Sequence, residues 1–469
     1  MSVCYSIKNI KNSCLFYNIC FLWNIVYLEG LINFYSLKTY LDFIKHKFNM
    51  ELYSTINLIY LIMLKRTLEK VIKQISSTFP VLMLTGPRQV GKTTLLMNIK
   101  EENREYITLD DLEQRQLAQN DPVLFLQIHK VPMIIDEIQY APNLFSYIKI
   151  HVDKNQKNGD FWLTGSQKFN LMKGIQESLA GRVAIIDMLG LSNKEIENKA
   201  DNSIPFLPTF DWLEKVKQNE IKNLNIDKIY EKILLGSFPK VLIEKDISRE
   251  YFYSSYLRTY IERDVMDILN VSDNIKFYNF IRAVACRTGQ LLNYTDIAKD
   301  IEIDTKTAKS WLSILETSGL VKLLEPYYNN ITKRIIKTPK LYFLDTGLCC
   351  FLTGWNTVET LRDGAMAGAM LETYVFCEIL KSYWNNGKMP FIYFYRDTNQ
   401  KEIDFLIEEN GTLYPIEVKK TATPSLTTTK SFSVLNTLNK KIGTGAVMCL
   451  RENDIPLSRD VLVVPVWYV

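Results

Sequence analysis

The stretch from Val81 to Thr94 constrains this chain more than any other. Val81-Leu82-Met83-Leu84 is a short, unbroken apolar run of the kind buried in a parallel sheet. It leads into Gly86-Pro87-Arg88-Gln89-Val90-Gly91-Lys92-Thr93-Thr94, which satisfies G-x-x-x-x-G-K-[ST] at each position. A strand, a glycine-bracketed loop and a helix opening at its end aim backbone N–H groups at an anion. Gly86 and Gly91 let the backbone close round a phosphate. Lys92 is placed to reach the β- and γ-phosphates, and the Thr93 hydroxyl to ligate Mg²⁺. ATP and Mg²⁺ are therefore the expected ligands, cradled by residues 86–94.

The surroundings fit a nucleotide site. Met133-Ile134-Ile135-Asp136-Glu137 is a second buried strand ending in two carboxylates. Asp136 would hold Mg²⁺ through water and Glu137 would polarise the attacking water. Phe161-Trp162-Leu163 reads as a third strand, followed by Thr164-Gly165-Ser166. Ser166 either senses the γ-phosphate or caps the next helix. Tyr106–Leu109 and Ala184–Ile186 supply two more strands. Strands alternating with helical stretches make a parallel sheet covered on both faces, with ligand at the carboxyl ends of the strands. Arg182, in Ser178-Leu179-Ala180-Gly181-Arg182, is either an arginine finger or a surface arginine paired with an acid. A finger acting on a neighbour's nucleotide would imply a homo-oligomer.

GPRQVGKTT, IIDEIQ, LTGS and SLAGR, in that order, resemble the bacterial and archaeal AAA-superfamily ATPases that carry a C-terminal domain of unknown function. Gly236-Ser237-Phe238-Pro239 and Tyr260-Ile261-Glu262-Arg263-Asp264 resemble that family's inter-domain segments. The likeness covers about residues 63 to 469 and implies ATP binding and hydrolysis. The fold class expected is α/β. A P-loop NTPase sheet flanked by helices (63–190) is followed by a helical lid and linker (191–285), a winged-helix-like module (286–345) and a restriction-endonuclease-like α/β domain (346–469).

Composition narrows the remaining classes. With 469 residues there is room for about three domains. A hydrophobic fraction of 47% with 23% charged residues is globular rather than disordered. The net charge of +4 is small for this length, so any basic surface for nucleic acid must be local. Eight cysteines without a C-x-x-C spacing, and only three histidines, argue against structural zinc and for reduced thiols in the cytoplasm. Residues 1–62 stand apart. Their uncharged runs, Asn12 to Leu28 and Leu52 to Leu64, are shorter than the roughly 20 residues of a membrane span. No alanine precedes Ala118, as a signal-peptide cleavage site would want. Met63-Leu64-Lys65-Arg66 reads like a natural start, with an amphipathic helix (Leu68, Val71, Ile72, Ile75) at once behind it. The extension reads as an upstream piece of reading frame or, less readily, as an anchor.

In the second half, aromatics at helical spacing (Tyr253, Tyr256, Tyr260) read as core, and Lys215 to Lys232 as a solvated face. Tyr294 to Val321 has the form of a helix-turn-helix. Ala298 sits in the first helix, a turn comes near Ile303, and Asp304 or Thr305 caps a second helix that Gly319 ends. Trp311, Leu312 and Leu315 share one face of it, with Lys306 and Lys309 away from them. A basic hairpin follows (Lys333, Arg334, Lys337, Lys340). The segment resembles a winged helix, which makes DNA a candidate partner. The second helix carries no Arg, Asn or Gln for direct base readout, so the module either contacts phosphate or is a scaffold joining two domains.

Glu402 to Lys420 reads as a hairpin about Asn410-Gly411. Pairing Glu409 with Thr412 sets Asp404 opposite Glu417 and Glu402 opposite Lys419. Ile403, Phe405, Ile407, Tyr414, Ile416 and Val418 then share one face. Asp404, Glu417 and Lys419 share the other, with Leu406 and Leu413. Opposed carboxylates repel, so a divalent metal or the lysine must offset the cost. The order D…E-x-K, with Glu372 on the preceding helix (Met370 to Lys381), is similar to the PD-(D/E)xK nucleases. That resemblance implies a second Mg²⁺ site of Glu372, Asp404, Glu417 and Lys419, either active or inherited without activity.

Overall fold

Continuous rather than alternating apolar runs build the first sheet, because its inner strands are covered on both faces. The computed structural model describes residues 64–165, 171, 174–175, 177–218, 223–244, 246–260 and 274–469; the expectations for residues 1–62, Ser166 and 261–264 fall outside these. Strands β1 (Val81–Thr85), β2 (Glu105–Thr108), β3 (Met133–Asp136), β4 (Phe161–Thr164) and β5 (Val183–Asp187) lie parallel in the order β2-β3-β4-β1-β5. Each lies within one residue of the run read from the sequence. Leu82, Leu84, Ile134 and Trp162 on one face cluster with Leu68 and Ile72 of the helix Leu68–Ser76. Met83, Met133, Ile135 and Leu163 on the other cluster with Phe125, Phe145 and Ile148. Burying each such side chain contributes about 1.5–3 kcal/mol.

The segment read as a helical lid and linker contributes to a continuous core. Phe206, Trp212, Tyr230, Phe238 and the fully buried Tyr253, Tyr256 and Tyr260 share one cluster with the first sheet and with the long helix Ala367–Trp384. So much aromatic surface could not stay in water. The described residues accordingly belong to one compact unit.

A three-stranded antiparallel sheet follows, of β6 (Gln290–Leu291), β7 (Val321–Leu324) and β8 (Lys340–Phe343) in the order β6-β8-β7. Helices Asn274–Ala285, Tyr294–Ile301 and Thr305–Thr317 pack with it, and Trp311 is edge-on to Phe277 and Phe280. Asp304 caps the second of the helix-turn-helix elements by accepting from the Thr307 N–H at 2.9 Å. The basic hairpin differs from expectation. Its tip holds a short helix, Ile331–Ile336. Only Lys333 and Lys337 of its four cations are exposed, because Arg334 and Lys340 are buried beside acids of the C-terminal domain.

That domain is a seven-stranded sheet of β9 (Ile392–Arg396), β10 (Glu402–Glu409), β11 (Thr412–Lys419), β12 (Lys441–Ile442), β13 (Gly445–Cys449), β14 (Ile455–Ser458) and β15 (Val461–Pro465). Asn410 and Gly411 both have positive φ, 49° and 73°, as a tight hairpin turn demands. The ladder runs from Glu409–Thr412 to Phe405–Ile416 in the expected register. One residue departs from the expected faces. The pairing of β10 with β9 slips between Ile403 and Leu406, and Ile403 joins Leu406 and Leu413 rather than Phe405 and Ile407. An extra residue at such a bulge puts the alternation out of phase. Among the described residues no helix is long and apolar enough to cross a membrane.

Candidate functional site

The loop after β1 is shaped by its two glycines. Gly86 has φ +141°, and a Cβ there would lie 2.1 Å from the Met188 carbonyl oxygen. Gly91 has φ +94° and opens the helix Lys92–Ile99. Any other residue would be strained at both places. Buried Arg66 braces the loop from behind, donating to the carbonyls of Leu189 (2.8 Å) and Val90 (3.4 Å) and pairing with Glu195 at 3.2 Å. Lys92 is nearly buried, and its Nζ donates to the carbonyls of Gly86 (2.9 Å) and Pro87 (2.8 Å). Its charge thus lies across the cradle that its own loop forms. Pro87 and Val90 are buried, while Arg88, Gln89 and Thr94 are at least partly open.

Asp136, at the end of β3, is 6% exposed and gathers three hydroxyls. Its Oδ2 accepts from Thr93 Oγ1 and from the Tyr106 phenol, each at 2.9 Å, and its Oδ1 accepts from Thr164. A hydroxyl and a carboxylate this close are hard oxygen donors of the kind Mg²⁺ takes, so the residues present fit Mg²⁺ with a nucleotide. Glu137 adopts a left-handed backbone (φ 56°), uncommon for a glutamate, and its carboxylate accepts from the Gln139 amide. Burial first, then the charge of Asp136, pushes the Tyr106 phenol well above its usual range.

The other two expected catalytic residues fare differently. Ser166 is outside the described residues. Arg182 directly precedes β5, whose first residue pairs with Val81 at the start of β1. It therefore lies at the amino end of the sheet, opposite the phosphate loop, and cannot meet its own chain's nucleotide. It forms a two-pronged ion pair with Asp153, at 2.5 and 3.1 Å.

Sequence reasoning passed over Tyr106, Thr164 and Gln139. Thr164 stood inside LTGS, two places before the residue chosen. Tyr106 looked like an ordinary strand aromatic, and nothing local marks its reach to Asp136.

In the C-terminal domain Asp404, Glu417 and Lys419 come together. Asp404 Oδ2 accepts from the Val418 N–H at 2.8 Å, and Lys419 Nζ lies 2.7 Å from Glu417 and 3.5 Å from Asp404. Glu372 accepts from the Tyr342 phenol (2.5 Å) and from Lys340 (3.2 Å), whose Nζ also lies 2.5 Å from Glu402. Lys340 and Tyr342 come from β8 of the preceding sheet, which the local sequence does not announce. Burial first, then the Asp404 charge, raises Glu417 to about 8 and Glu372 to about 7, against the pull of the two lysines. Among the described residues no three of His, Cys, Asp and Glu are arranged so that they could hold a metal ion. Two ammonium groups are interleaved with these acids instead.

Residues 78–197 match a family described as "AAA domain". Residues 226–359 and 367–469 match domains of unknown function, DUF8612 and DUF4143, the first of which crosses the boundaries expected near 285 and 345. Two proteins described as uncharacterized, from Mycobacterium bovis and Mycobacterium tuberculosis, are each 27% identical over 391 residues, 82% of this chain and 80% of theirs. Among solved structures, the Walker-type ATPase of Pyrococcus abyssi is 15% identical, with a TM-score of 0.37 over 61% of this chain and 94% of its own. The Thermotoga maritima RuvB Holliday junction branch migration motor is also 15% identical, with a TM-score of 0.26 over 58% of this chain and 89% of its own. These overlays are too loose to carry function. The family match and the phosphate loop together support an AAA-type ATPase domain over residues 78–197.

Proposed function

We propose that the chain binds ATP with Mg²⁺, hydrolyses it, and couples that turnover to nucleic acid through the modules that follow the ATPase domain. The observation that carries the first part is the 2.9 Å contact of the Thr93 hydroxyl with Asp136 at the mouth of the glycine-bracketed loop. Lys92 exchanges the carbonyls of Gly86 and Pro87 for phosphate oxygens. Thr93 and Asp136 would hold Mg²⁺, which when bound would neutralise charge on the phosphates. Glu137, held by Gln139, orients the attacking water and draws off its proton.

Coupling is supported by a close approach. Gly319, just past the helix Thr305–Thr317, has φ +73°, and a Cβ there would lie 3.1 Å from Pro87 Cδ. The phosphate loop and the helix-turn-helix module are thus near neighbours, so a change in the loop would be felt there. The order of helices and strands in that module is similar to a winged helix. Lys306, Lys309, Lys333 and Lys337 are exposed there for phosphate contact, without base-reading side chains. The C-terminal domain, nuclease-like in its Asp404, Glu417 and Lys419, serves in this reading to bind rather than cleave, since Lys340 and Lys419 already offset its acids.

The test is ATP turnover by the full chain with and without single- and double-stranded DNA, beside Glu137→Gln. DNA-stimulated turnover that Glu137→Gln abolishes while retaining ATP supports the proposal. Turnover indifferent to DNA favours an ATP-dependent switch for a protein partner. Turnover that Glu137→Gln leaves unchanged removes the catalytic assignment.

A further inference from the structure

Asp136 is reached from the outer strand of its sheet by a residue with no part in the steps above. In the register of β2 with β3, Thr108 lies beside Asp136 and Tyr106 beside Ile134. Residues two apart share a face of a strand. The Tyr106 ring spans that step and brings its hydroxyl within 2.9 Å of Asp136 Oδ2. The nearer Thr108 has a short side chain that accepts from the Asp110 N–H at 3.2 Å. The ring is packed against the core cluster of that face, so packing fixes where the hydroxyl points.

A carboxylate offers about four acceptor directions. Thr93 and Tyr106 take two on Oδ2, and Thr164 takes one on Oδ1. Among the described residues one direction remains. We propose that Tyr106 is a positioning residue for the metal-dependent part of ATP binding, holding Asp136 in the rotamer that turns its last acceptor direction to a Mg²⁺-bound water. The proposal rests on the ATPase reading above and adds to it a residue from the edge strand. Without the phenol, Oδ2 is secured by Thr93 alone, whose own oxygen the metal also claims. Asp136 would then turn, and the metal would be held less well while contacts to the nucleotide itself stayed in place.

The experiment uses the full chain and a fluorescent ATP analogue. Binding is measured in EDTA and then across a Mg²⁺ titration, for wild type, Tyr106→Phe and Lys92→Ala. Phenylalanine keeps the packed ring and removes only the hydroxyl. The expected result for Tyr106→Phe is metal-free affinity within about twofold of wild type and a Mg²⁺ requirement raised about tenfold, the scale of one hydrogen bond to a charged group. A second variant, Tyr106→Leu, should show the same shift in Mg²⁺ requirement despite a lower melting temperature. An unchanged Mg²⁺ requirement in Tyr106→Phe overturns the proposal. So does an equal loss of metal-free and metal-bound affinity, which would mark Tyr106 as packing only. Wild-type binding that Lys92→Ala leaves intact would sink the ATPase reading itself, a distinct outcome.

Discussion

Replacing Asp404 by asparagine should change how stability depends on pH more than it changes stability at any one pH. Glu417 is raised to about 8 and Glu372 to about 7, by burial and then by Asp404. In the unfolded chain both titrate near 4.5. Between these values the folded state binds more protons than the unfolded state, so stability falls as pH rises from about 4.5 to about 8. Lys340 and Lys419, both held above their ordinary range, stay charged throughout this window. A carboxylate charge about 5 Å away at an effective dielectric near 20 is worth about 3 kcal/mol before relaxation and screening. Asparagine removes that charge while its amide oxygen can still accept from the Val418 N–H. Relative to wild type, Asp404→Asn should therefore gain about 1–2 kcal/mol on going from pH 5 to pH 8. That corresponds to about 1–2 °C in the difference of melting temperatures for a unit of this size. The assay is thermal unfolding of both proteins in chelator at pH 5, 6.5 and 8. Parallel pH profiles would refute the reasoning, since they would mean that Asp404 does not bear on the two glutamates.

Two further variants probe the nucleotide side. Gly86→Ala puts a methyl 2.1 Å from the Met188 carbonyl oxygen at φ +141°, so it should cost about 3 kcal/mol or more and abolish nucleotide binding; a normal melting temperature with normal binding would contradict this. Arg182→Ala should melt close to wild type, because surface ion pairs add little. It should also bind ATP but hydrolyse it slowly, and mixing it with Glu137→Gln should partly restore turnover; mixtures without rescue would leave Arg182 to its Asp153 pair.

The first sheet was legible because burial on both faces writes itself as short unbroken apolar runs, and the strands β1 to β5 stand where those runs do. The hairpin was legible for a different reason, since Asn410-Gly411 fixes a register and register fixes faces. What escaped depends on distant parts of the chain. The slip that turns Ile403 is set by its other neighbour, β9. Lys340 and Arg334 looked like solvent-facing cations because their acids, Glu402 and Glu408, are 62 and 74 residues away in sequence. The packing of the 191–285 aromatics could not be read locally, because they share a core with a helix more than 100 residues downstream. At the nucleotide site, the nearness of Thr93 and Asp136 followed from two spaced motifs. The part of Tyr106 could not be read, because the phenol reaches Asp136 from a residue that is not its direct strand neighbour.

Everything proposed for the nucleotide site turns on Lys92, the cation that directly follows the glycine-bracketed loop. Equilibrium binding of ATP–Mg²⁺ to the full chain, wild type against Lys92→Ala, tests this directly. The alanine variant keeps both glycines and the Thr93–Asp136 contact but removes the charge that faces the phosphates. The account predicts saturable wild-type binding that weakens by about 100-fold or more in Lys92→Ala, the scale of lost charge-assisted hydrogen bonds to phosphate, with little change in melting temperature. Equal affinity in the two proteins would contradict it.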